Sequence, residues 1–156
     1  MPEAAQTVLR ENGTIELAAE TLRVFGRLWL RVSGASMLPA LRPGDVLQFQ
    51  VYSAEQVEAG DVVLFRRGGR LVIHRVLSKT PTGLITQGDA LATIDPPVDS
   101  ADLLGKVVSM SRRGRNLPFQ ASSSASQRLT RWLFRHSDFA TRLFLRWQRL
   151  SIRVHA

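Results

Sequence analysis

The chain has 156 residues, of which 44% are hydrophobic and 22% charged, which is one domain's worth of ordinary globular sequence. It contains no cysteine, and this excludes a disulfide framework and a thiolate metal site. The net charge of +8 belongs to the C-terminal end: from Arg112 onward ten arginines face one acidic residue, Asp138, and the body before them is near neutral.

Residues 1–26 open with a polar lead, without the basic start and apolar run of a signal peptide. Thr14 is the expected N-cap of a helix over 15–25, in which Ile15, Ala18, Ala19, Leu22 and Phe25 recur at helical spacing. That helix is too short and too charged to cross a bilayer, which needs ~20 apolar residues. The chain therefore reads as cytoplasmic or peripherally membrane-bound.

Residues 27–110 read as a mainly β domain. Short β-rich runs fall at 28–32, 46–51, 62–66, 71–77, 84–87 and 104–110. Gly, Pro, Asp and Ser clusters separate them, at the spacing of a coiled β-sheet or barrel. Arg67-Gly68-Gly69-Arg70 is the expected hairpin turn between two of these runs. Asp45 and Asp61 stand beside tight turns, where an aspartate side chain hydrogen-bonds the local backbone.

Residues 111–126, rich in Ser, Arg and Gly, read as a linker, and 127–156 as a helical tail. In the tail Leu129, Trp132, Leu133, Phe139, Leu143, Phe144 and Trp147 share a stripe, and arginines recur on another face. A basic amphipathic helix of this kind suits an anionic membrane surface or a groove on a partner protein, and equally its own domain. Nucleic acid ranks below these, because no groove-reading motif accompanies the arginines.

The chemistry concentrates at Ser33-Gly34-Ala35-Ser36-Met37-Leu38-Pro39. The small residues, Gly34 above all, leave the backbone around Ser36 uncrowded, so a substrate carbonyl can approach it. Downstream, period two along 71–77 puts Val72, His74 and Val76 on one strand face. A histidine there is a general-base candidate or a satisfied structural group. His136 and His155 have no Cys or Glu at ligand spacing, so neither a metal nor a cofactor is expected.

The order Ser36-Met37-Leu38-Pro39, Gly44-Asp45, Gly60-Asp61-Val62-Val63-Leu64-Phe65, Ile73-His74-Arg75-Val76, Gly88-Asp89-Ala90 and Gly105-Lys106-Val107-Val108 resembles the signal peptidase I superfamily over about residues 27–110. It looks most like the Ser-His branch of archaea and the endoplasmic reticulum, in which histidine replaces the lysine base of typical bacterial enzymes. The resemblance implies a serine endopeptidase acting on an extended peptide or protein substrate. Ser36 would be the nucleophile, with its own backbone N–H as the oxyanion donor, and His74 the base. Asp95 or Asp89 would orient the imidazole, and Met37 and Leu38 would line a shallow apolar site. Where those enzymes usually carry a transmembrane helix before the serine, this chain has an amphipathic one. Two other readings share the fold: an autoprotease or regulator of the SOS-repressor type, whose base is a lysine, and an inactive peptide- or membrane-binding module.

Overall fold

The computed structural model describes residues 3–117 and Phe119, with residues 3–12 described as backbone only. The helical tail expected over 127–156 therefore lies outside the described residues. One helix, α1 (Glu3–Phe25), precedes eight strands. These are β1 (Arg27–Arg31), β2 (Val46–Gln50), β3 (Val62–Arg67), β4 (Arg70–Thr80), β5 (Gly83–Gln87), β6 (Val98–Asp99), β7 (Leu103–Arg112) and β8 (Arg115–Leu117). A single 3₁₀ turn, Ser100–Asp102, leads into β7.

All strand pairs are antiparallel and form one sheet in the order β1-β2-β7-β3-β4-β5-β6, with β8 paired to β7. The path ends at β1 and at the two-residue β6, and these ends do not pair. The sheet is thus open: closing a barrel needs a continuous ladder between its first and last strands, and β6 is too short to provide one.

Central strand β3 shows why the sheet is covered on both faces. Val62 and Leu64 point into one core with Leu22, Leu47, Phe49 and Met110. Val63 and Phe65 point into a second with Val57, Val76, Leu84 and Val98. Alternation along a strand divides consecutive apolar residues between the two faces, so an unbroken apolar run is what this position requires. The β3–β4 hairpin closes on Gly68 and Gly69, both at positive φ (55° and 72°), the conformation a two-residue type I′ turn demands.

Two boundaries differ from expectation. The helix begins at Glu3 rather than at a Thr14 cap, because the strong helix formers among residues 3–11 carry it through Gly13 at a cost of only ~1 kcal/mol. Ile15, Ala18 and Leu22 are buried, whereas Phe25 is exposed because the helix ends at Gly26. The linker expected over 111–126 begins instead as structure: β7 runs through Arg112, turns at Arg113-Gly114, and β8 pairs back from Arg115. β6 and β8 escape the sequence pattern because two or three residues carry no period.

Candidate active site

Ser36 lies in the compact turn segment that follows β1. The Leu38 N–H bonds the Ala35 carbonyl (3.1 Å) and the Leu41 N–H bonds the Met37 carbonyl (2.9 Å). Met37, Leu38 and Leu41 are buried beneath the turn, and Ser36 is left half-buried above them. The base of the segment is tied by Asp45, whose carboxylate accepts from the Arg42 N–H (2.8 Å) and from the Arg112 guanidinium (2.7 Å). Burial, and then the neighbouring Arg112, push the Arg42 guanidinium below its ordinary value. Asp61 plays the equivalent role at the next turn, taking the Glu58 N–H and the Lys106 ammonium.

A groove of about 530 Å³ runs past this turn. It is lined by the end of β1 and the residues after it, Leu30 to Gly34, by Leu71 to His74 of β4, and by Thr14 of α1. Ser36, Met37 and Leu41 complete its lining. Gly34 and Met37 thus border the groove, whereas Leu38 is fully buried and does not line it. Both side chains are buried, and of the two it is Met37 that reaches the groove.

His74 is buried and faces the same groove. Its Nδ1 lies 2.6 Å from Asp95 Oδ2. A carboxylate only accepts, so against an ionised Asp95 the Nδ1 carries the proton, and in a neutral ring Nε2 carries the lone pair. Asp89 lies elsewhere: its two oxygens take Nε and Nη2 of Arg75 (2.9 and 2.8 Å) in a buried bidentate pair. Successive residues of a strand face opposite ways, so His74 and Arg75 sort the two aspartates between them.

The segment carrying both aspartates also touches the serine. The Ala90 N–H donates to the Ser36 carbonyl (2.8 Å), and a Cβ on Gly88 would stand 2.7 Å from that carbonyl oxygen and 2.9 Å from the Leu91 side chain. Glycine is required at 88 by this approach of backbone to backbone. Gly88→Ala is expected to cost roughly 1–3 kcal/mol by overpacking, read as a lowered urea midpoint. A midpoint within error of the parent would show that the turn absorbs the methyl group.

A family model described as Peptidase S24-like matches residues 2–108, more than half of the chain. The chain belongs to that family. No curated protein matches the sequence. The S24-like family contains serine peptidases as well as autoproteolytic regulators, within the superfamily that includes signal peptidases. Among the described residues of this S24-like chain, no helix is long and apolar enough to cross a membrane, and no group of three or more His, Asp or Glu side chains is placed to hold a metal ion.

Sequence reading alone missed Thr86 and Arg67, which contact Asp95. Thr86 Oγ1 donates to Asp95 Oδ2 (2.7 Å), and the Arg67 guanidinium lies 3.7 Å from Oδ1. A threonine in a β-rich run and an arginine beside a Gly-Gly turn are both ordinary in a sequence, and only the tertiary fold gives them a common partner.

Proposed function

We propose that the chain is a serine endopeptidase of the signal peptidase I type, with Ser36 as nucleophile, His74 as general base and Asp95 as the group that orients the imidazole. The observation that carries this reading is the 2.6 Å contact between His74 Nδ1 and Asp95, made by a histidine that lines one groove with Ser36. In the proposed reaction His74 Nε2 takes the hydroxyl proton as Ser36 Oγ attacks the substrate carbonyl, and the Ser36 N–H supports the oxyanion. The imidazolium, stabilised by Asp95, then returns the proton to the leaving amine, and water releases the acyl group by the same route in reverse.

The groove suits an extended peptide. The β4–β5 ladder starts only at Arg75, so residues 71–74 have one edge paired to β3 and the other beside the groove. Among the described residues β1 pairs with β2 alone. A substrate strand laid along these edges would gain main-chain hydrogen bonds, with half-buried Leu30, Leu71 and Ile73 to receive its side chains.

The SOS-repressor-type alternative requires a lysine base. The chain has two lysines, Lys79 and Lys106, and neither lines the groove. Lys79 bonds the Glu55 carbonyl, and Lys106 bonds Asp61 and lies over the Tyr52 ring. A fluorophosphonate probe tests the proposal directly. The expected result is stoichiometric labelling mapped to Ser36, absent in Ser36→Ala and much slowed in His74→Ala. An unlabelled wild type that still binds extended peptides would instead favour the binding-module alternative.

A further inference from the structure

Besides His74, two residues hold Asp95: Thr86 and Arg67. Oδ2 accepts from His74 Nδ1 (2.6 Å) and from the hydroxyl of Thr86 (2.7 Å), and Oδ1 faces Arg67 Nη1 at 3.7 Å. The Asp95 N–H donates to the Thr86 carbonyl (2.9 Å), so Thr86 grips both the backbone and the side chain of the same residue. Arg67 Nη2 donates to the carbonyls of Pro96 and Pro97, the two residues that follow Asp95. The Arg67 guanidinium also lies over the Phe65 ring (5.1 Å), whose edge meets the His74 ring at 6.2 Å between centroids.

Two features set this apart from ordinary packing. Thr86 is fully buried, and its hydroxyl bonds the same carboxylate oxygen that meets the imidazole. A carboxylate on a single hydrogen bond rotates freely about its last torsion, whereas a second donor on the same oxygen and a cation at the other fix its plane. Arg67 comes from the hairpin that also carries His74, so it ties the aspartate's loop to the strand of the base. Its Nη1 is buried and has no hydrogen-bond partner among the described residues, with Asp95 Oδ1 as its anionic neighbour.

We infer that Thr86 and Arg67 are positioning residues that fix the Asp95 carboxylate against His74 Nδ1 and so hold the imidazole in the tautomer and orientation a general base needs. The catalytic readout of this inference rests on the proposed peptidase reaction; the structural readout does not. The experiment measures kcat and KM on a cleaved peptide together with the downfield proton resonance of His74 Nδ1–H, assigned by its loss in His74→Ala. Thr86→Val is expected to lower kcat roughly tenfold to a hundredfold with KM nearly unchanged, and to shift or broaden the resonance; Thr86→Ser restores both. Arg67→Met, a change at a partly exposed side chain, is expected to act in the same direction and serves if the buried valine impairs folding. A resonance unmoved in both Thr86→Val and Arg67→Met overturns the inference, whatever happens to kcat. Full activity in Ser36→Ala would instead remove the peptidase reading, and the resonance would still decide the role of Thr86 and Arg67.

Discussion

His74→Ala is expected to reduce kcat for peptide cleavage by at least ~10³-fold, with the protein still folded. The size follows from the proposed role: without a base the serine hydroxyl is a poor nucleophile, and what survives is the rate provided by substrate binding and the oxyanion donor. Folding is retained because Asp95 keeps its bonds to Thr86 and stays beside Arg67 when the imidazole is removed. Ser36→Ala is expected to cost a comparable factor, and the double variant little more than either single one, since nucleophile and base act as a unit. Steady-state kinetics with a thermal melt of each variant checks this. If the two losses multiply in the double variant, Ser36 and His74 act independently and the proposed pairing is wrong.

Asp89→Ala is expected to destabilise the fold by about 3–5 kcal/mol, the usual result of stranding one member of a buried ion pair. Arg75 and Asp89 are both buried, and the guanidinium would keep the Gly60 carbonyl (2.7 Å) but lose both carboxylate bonds. Against a domain stability of ~5–15 kcal/mol this is a large fraction. The double variant Asp89→Ala with Arg75→Met removes the stranded charge and is expected to recover part of the loss. Urea unfolding measures both. A change below ~1 kcal/mol for Asp89→Ala would mean that water reaches the pair and screens it like a surface one.

The six longer strands were legible because each carries enough residues to show its apolar pattern, and the Arg67-Gly68-Gly69-Arg70 hairpin because its turn needs two residues at positive φ. Asp45 and Asp61 were legible for a local reason: each accepts a backbone N–H three residues before it. The choice between Asp89 and Asp95 was not, since both stand in one short segment and either spacing reaches β4. What separates them is that Arg75, facing away from His74, captures Asp89 and leaves Asp95 to the imidazole. Leu38 was misplaced because a motif records the order of residues and not which of two buried neighbours reaches the groove. The supports of Asp95 are long-range contacts between unremarkable residue types, and no local pattern announces them.

The position of β7 decides when the two sides of the groove come together. In the sheet, the strands flanking the Ser36 turn (β1 and β2) stand on one side of β7, and those carrying and supporting His74 (β3, β4 and β5) stand on the other. β7 is the strand that joins the two groups, and it is made late, at residues 103–112. During synthesis the serine and the histidine emerge long before the strand that unites their platforms. On the proposed reading the site is assembled only when β7 bridges the two groups, so a chain ending before residue 103 is expected to lack the groove that Ser36 and His74 share.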